Sequence, residues 1–401
     1  MSEYTYLDHA ATTPMRAEAV AAMLPYLSGC FANPSGPHRF AREARRAVDE
    51  ARDDVAAIVG CKPGEVVFTS GGTEADNTAV FSSLDRRSGV AVCSAVEHHA
   101  VLHAVESRHG RTVGVLASGH IDIDALDELL GAGPDEVALV SVMTVNNEVG
   151  TITDIAAVAD VVRRRAPNAV LHTDAVQAAC WRDLREISAH VDMLSLSAHK
   201  FGGPKGVGVL MVRSGTAFAP LLIGGGQERE RRSGTNNVPG IVATAVALRL
   251  TDEQRDLENT RITKLRDDMV DEIVGALDDV FETVSRQHKI PGSAHICIAG
   301  IENEALLYLL DEAGVCATAA SSCASGAMEP SHVLAAMGVS RELAGGALRL
   351  TLGHTTTAAD VQRGAAAVIA AVRRLRGARP AAGRQVANAG SSGAARETVL
   401  G

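Results

Sequence analysis

Between residues 65 and 212, short apolar runs alternate with longer amphipathic stretches, and this pattern narrows the possible folds more than any other feature. The runs are "EVVFT" from Glu65, "GVAVCS" from Gly89, "TVGVLA" from Thr112, "EVALVSVM" from Glu136, "AVLHTDA" from Ala169, "DMLSLSA" from Asp192 and "GVGVLMV" from Gly206. Most show no strict alternation of apolar and polar residues, as expected of strands covered on both faces. Helical patterns fill the gaps, for example Ile155 to Arg165, and another from Arg42 to Val59 precedes the first run. The alternation predicts an α/β domain built on a mostly parallel, seven-stranded sheet.

Beyond Pro239 the pattern changes. A helical region from Ile241 to Ala276, read as one or two helices, leads to a strand-like "SAHICIAG" and a helical "NEALLYLLDEAG". A stretch of small residues around Cys323 follows, then a helix from Ser331, a strand "ALRLTL" and a last helix from Ala358 to Leu375. These elements predict a smaller α+β domain of residues 257–377, joined by residues 1–14, beside a large domain of residues 15–256. Residues 378–401, rich in Ala, Gly and Ser without an apolar period, are expected to be disordered.

A hydrophobic share of 46% marks a folded globular chain, and a net charge of −10 gives no surface suited to nucleic acid or an acidic membrane. Seven cysteines, no two in a CxxC pair, and a start without an apolar signal region predict reduced thiols, no metal site and a cytoplasmic setting. No window holds the roughly 18 uncharged apolar residues of a membrane span.

In α/β sheets ligands gather beyond the carboxyl ends of the strands. After the first run, Ser70, Gly71, Gly72 and Thr73 turn into a helix, leaving backbone N–H groups and a hydroxyl suited to phosphate, unless Thr73 and Asp76 merely cap that helix. The second run is followed by His98 and His99 at a helix start, and the fourth by Asn146, Asn147 and Glu148, which can orient a ligand or form a turn. The fifth ends in Asp174, with Gln177 close behind. A buried carboxylate needs a partner, and a cationic heterocycle nitrogen is one; an N-cap is the alternative. The sixth ends near Lys200, where desolvation would free the amine to attack an aldehyde, whereas Lys205 sits in the following turn. The spacing from Asp174 to Lys200 leaves room for one helix and one strand, so both can face one pocket. A phosphate cradle, a carboxylate for a ring nitrogen and a lysine for an aldehyde are the complements of pyridoxal phosphate.

The motifs "YLDHAATTP", "NPSGPHRFA", "FTSGGTEADN", "VEHHAVL", "VNNEVGTI", "TDAVQA", "SAHKFGGPKGVG", "GGGQERERRSGTNN", "SSCASGAMEPSHVL" and "LRLTLGHTT" together resemble the cysteine desulfurases, from about residue 4 to 376. The resemblance implies a pyridoxal-phosphate enzyme of transferase fold type I, in the class V aminotransferase group and of the long-loop type. By that resemblance Lys200 forms the Schiff base with the cofactor, Asp174 pairs with its ring nitrogen, Gln177 with its ring hydroxyl, and His98 stacks on the ring and moves protons. Gly72 and Thr73, with Ser197 and His199, match the phosphate site, which Thr235 reaches from the second subunit of a homodimer. Asn147 and Arg349 match residues that hold the substrate carboxylate, and Cys323 the cysteine that takes sulfur from L-cysteine, leaving L-alanine. The sulfur would pass to an acceptor protein, such as an iron–sulfur scaffold or a tRNA-thiolation enzyme.

Three positions depart from the family pattern: "TAASS" precedes Cys323, Cys316 lies upstream in the same segment as a second thiol, and His354 stands where many relatives carry arginine. Two other readings are a selenocysteine lyase or related lyase of the same group, which would work without Cys323, and a scaffold without turnover. The complete set of Lys200, Asp174, His98 and Cys323 speaks against the scaffold.

Overall fold

The seven apolar runs pair in a single sheet. The computed structural model describes residues 4–131, 133, 137–319 and 331–378. Strand β1 is the short Thr5–Tyr6, and the runs form β2 (Val66–Thr69), β3 (Val90–Ser94), β4 (Arg111–Val113), β5 (Val137–Ser141), β6 (Val170–Asp174), β7 (Met193–Ser197) and β8 (Gly208–Val212). Their order is β2-β8-β7-β6-β5-β3-β4, and β8 alone runs against its neighbours. Strands β5 to β8 are buried at every residue, as their unbroken apolar runs require. Leu139, Val170, Met193 and Leu210 pack on one face with Ala75 and Val80 of the helix Gly72–Arg86. Val140, Leu171, Leu194 and Val209 pack on the other with Val55, Val158 and Val162. Strand β4 is shorter than predicted, because the chain leaves the sheet edge after Val113 and exposes Leu116.

The region read as one or two helices is one, Val238–Ala276, of 39 residues. Ile241, Ala245 and Leu248 near its start join the core under the large sheet. Ile262, Met269 and Ile273 near its end join a second cluster with Leu7, Leu348, Leu350 and Val372. The predicted boundary at 256/257 therefore falls inside an unbroken helix. The second cluster covers a small antiparallel sheet of β9 (Val280–Glu282), β10 (Ser293–Ile298) and β12 (Ala347–Thr351), while β11 (Val315–Cys316) pairs with β1. Cys316 is thus a half-buried strand thiol, raised by burial. The six described cysteines are free. Cys323, and the predicted disordered tail from residue 379 onward, lie outside the described residues.

From Leu7 to Arg16 the chain crosses from the small sheet to the large one. Thr351 donates its amide to the Leu7 carbonyl at 2.7 Å, and Thr13 donates its amide to that of His199 at 3.0 Å. This crossing carries the N-terminal residues past the ends of β6 and β7.

Candidate active site

Beyond β2, β3, β5, β6 and β7, a cavity of about 540 Å³ is lined by Gly72, Thr73, Asp76, His98, Asn147, Asp174, Gln177, Ser197 and His199, among others. Eight of these nine are predicted site residues; Asp76 had been read only as a capping partner. Gly71 caps the helix Gly72–Arg86, so the Thr73–Asp76 cap does not form and the Thr73 hydroxyl has no hydrogen-bond partner among the described residues. His98 caps the helix His99–Glu106, its Nδ1 accepting from the Ala100 amide at 3.1 Å, and burial holds its pKa below the usual histidine value. Of the two asparagines, Asn146 is the turn residue, its Oδ1 accepting from the amides of Glu148 and Val149, each at 2.9 Å. Asn147 faces the cavity.

Asp174 ends β6 on the cavity floor, where its Oδ1 accepts from the Val176 amide at 2.8 Å. No helix follows, so the N-cap reading falls away. Burial pushes its carboxyl above the usual range, and the same holds more strongly for Asp76 and Glu97 nearby. Asp76 Oδ1 and Glu97 Oε2 are buried without a partner. His172 Nε2 lies 3.7 Å from Asp76, but burial drives its pKa down to about 3, so the imidazole is neutral and no ion pair forms. The floor is a set of acids awaiting a positive charge.

Lys200 follows β7, the neighbour of β6, as the spacing predicted. Its amine does not line the same cavity as Asp174. It lines an adjoining one of about 640 Å³, with Val176 and Gln177 common to both. There Nζ donates to the carbonyls of Ala10 and Ala11, at 2.5 and 2.9 Å. Burial, with Arg349 nearby, lowers its pKa to about 8, so about a tenth of the amine is uncharged at pH 7, far more than for an ordinary lysine. Arg349, on β12, is buried and donates through Nη1 to the Asn147 carbonyl and through Nη2 to Asp8 Oδ1, each at 2.9 Å. Glu148 is buried beside it, its carboxyl raised to about 7 by burial and held back by the Ser331 hydroxyl and Arg349. Thr235 is exposed, outside this cavity.

A family model of the class-V aminotransferases matches residues 5–363. A cysteine desulfurase, IscS, of Dictyoglomus turgidum is 41% identical over 370 residues, spanning 90% of this chain and 92% of its own. The chain belongs to the cysteine desulfurases. Among solved structures, a NifS-like protein superposes with a TM-score of 0.86 at 30% identity, covering 93% of this chain and 100% of its own. SspA, solved in complex with cysteine, superposes with a TM-score of 0.73 at 30% identity over 86% of this chain and 98% of its own.

The cysteine desulfurases depend on pyridoxal phosphate, and the residues present fit it. At the start of the helix Gly72–Arg86, a Cβ on Gly72 would come within 2.9 Å of Val176 Cγ2 and 3.4 Å of Ser197 Cβ, so glycine is what lets this helix start approach β7 and leave its amides free for an anion. On the cavity floor, the acids suit a protonated ring nitrogen. Sequence reasoning missed Asp8, Asp76 and Glu97 as site residues, although each lies inside one of the motifs "YLDHAATTP", "FTSGGTEADN" and "VEHHAVL".

Proposed function

We propose that this chain converts L-cysteine to L-alanine and passes the sulfur, as a persulfide on Cys323, to an acceptor protein. The observation that carries this reading is the convergence on one cavity of Thr73, His98, Asn147, Asp174, Gln177, Ser197 and His199 in a desulfurase chain, with Lys200 and Arg349 beside them. When bound, pyridoxal phosphate supplies a sink for the electron pair released at the substrate Cα. Lys200 holds the cofactor aldehyde and, at a pKa near 8, can take and return a proton at Cα. Asp174 would hold the proton on the ring nitrogen, Gln177 would meet the ring hydroxyl, and His98 would lie against the ring. Gly72, Thr73, Ser197 and His199 hold the phosphate. Asn147 and Arg349 take the substrate carboxylate, for which a guanidinium fork is well shaped. The Cys323 thiolate attacks the substrate sulfur, the Cβ–S bond breaks with its electron pair left on the substrate Cβ, which takes up a proton to give L-alanine, and the outer sulfur of the persulfide is then handed on.

We further infer a homodimer in which Thr235 completes the phosphate site of a second copy. The support is that Thr235 is exposed, and that Leu24, Leu27, Phe31, Leu221, Leu222 and Ile223 are exposed apolar side chains. The acceptor would be an iron–sulfur scaffold or a tRNA-thiolation enzyme in the cytoplasm, and the two domains would divide at 15–256 and 257–377 with 1–14. Radiolabelled cysteine tests the reading. The wild type should yield alanine and a labelled Cys323, and Cys323→Ser should lose both; no alanine from the cofactor-loaded wild type would sink it. A Cys323→Ser variant that still acts on selenocysteine would favour the lyase reading.

A further inference from the structure

The crossing from Asp8 to Ala11 touches both groups that a substrate amino acid must reach. Asp8 Oδ1 sits 2.9 Å from Arg349 Nη2, and the Ala10 and Ala11 carbonyls take the Lys200 amine. Backbone bonds that do not involve the ion pair fix this segment. Thr351 binds the Leu7 carbonyl through its amide and the Ala10 amide through its hydroxyl, the latter at 2.9 Å. The Tyr6 hydroxyl donates to the Asp8 carbonyl at 3.0 Å and to that of Thr12 at 2.8 Å. The Asp8 side chain can therefore leave Arg349 without the segment moving. It is also the more accessible partner, 20% exposed against 7% for Arg349.

We propose that Asp8 is a specificity-determining residue whose carboxylate competes with the substrate carboxylate for Arg349. This rests on the reading of Arg349 as the group that holds that carboxylate. The physical need is plain. A buried guanidinium without a counter-charge is costly, and Asp8 supplies that charge whenever no substrate does. A ligand that brings its own carboxylate exchanges charge for charge and turns Asp8 toward solvent. A ligand that is neutral at this point offers nothing for the exchange, so it binds with Asp8 still in place. Selection for a free α-carboxylate then comes from the competition as well as from the attraction. The Nε of Arg349, buried without a partner, is a further donor that an incoming carboxylate can use.

The experiment uses the cofactor-loaded enzyme, with the bound cofactor checked by its visible absorbance, and measures binding of L-alanine and of L-alaninamide by calorimetry. Asp8→Asn keeps the shape and an acceptor oxygen but removes the charge, and Asp8→Ser removes both charge and length. Both variants should bind L-alanine about fivefold more tightly than the wild type, with L-alaninamide unchanged and the KM for L-cysteine lowered without a rise in kcat. Unchanged or weaker L-alanine binding in either loaded variant overturns the proposal, since it would make Asp8 a mere prop for Arg349. Arg349→Gln separates this from the reading beneath it. If that variant binds L-alanine as the wild type does, the assignment of Arg349 fails. If it loses L-alanine while Asp8→Asn shows no gain, only the role of Asp8 fails.

Discussion

On the floor of the cavity Asp174 and Asp76, with Glu97 close by, are buried against backbone amides and hydroxyls, whereas Arg349, bonded to the Asn147 carbonyl, is buried against the carboxylate of Asp8. The floor leaves its acids without a counter-ion, and burial drives them toward the neutral form. Arg349, by contrast, has an anion from the same chain as its counter-ion. The contrast teaches what each side is built to receive. An incoming cation is stabilised on the floor because it restores charge to an acid that burial had disfavoured, while on the other side an incoming anion must replace one already present.

The comparison breaks most visibly at Asp174. Asp174→Asn should weaken retention of pyridoxal phosphate about a hundredfold in equilibrium dialysis, while Asp76→Asn, which replaces an acid already held neutral, should stay within about twofold. Equal losses would mean that the two floor acids share one task. Glu148 tests the opposite wall through stability. Its folded carboxyl is raised to about 7 from the usual value of 4.5, so the stabilising proton is fully held below about pH 4.5 and lost as the pH rises through 7. Glu148→Gln cannot lose it. Relative to the wild type, that variant should gain about 3 kcal/mol in urea unfolding between pH 4 and 8, and a constant difference would refute the assignment. The smallest effect concerns Lys200, whose neutral amine is the reactive form. Capture of pyridoxal phosphate by the apoenzyme should accelerate with rising pH and level off above about 8 in stopped-flow absorbance, rather than near the ordinary lysine value of 10.5.

The sheet was legible because fully buried parallel strands must be written as unbroken apolar runs. Lys200 and Asp174 were legible because strand ends are where ligands gather, and one helix and one strand separate them. Their roles came from the family resemblance, since each motif alone had a plain structural alternative; the structure decided that alternative for Asn146 and removed it for Thr73 and Asp174. What the sequence hid is of another kind. Asp8 meets Arg349 across 341 residues, and Lys200 meets Ala10 across 190. No local pattern encodes such pairings. Nor does periodicity reveal that Asp76 turns inward toward the cavity, because a polar residue near a helix start is usually solvated.

That helix, Val238–Ala276, has a consequence for how the molecule holds together. At 1.5 Å per residue it runs for nearly 60 Å, and each of its ends is buried in a different hydrophobic cluster. Melting one cluster would strip the packing from half of a single hydrogen-bonded rod, and fraying would then carry toward the other half. The two layers are therefore coupled as a cooperative unit, and neither inherits a complete helix if the chain is cut between them.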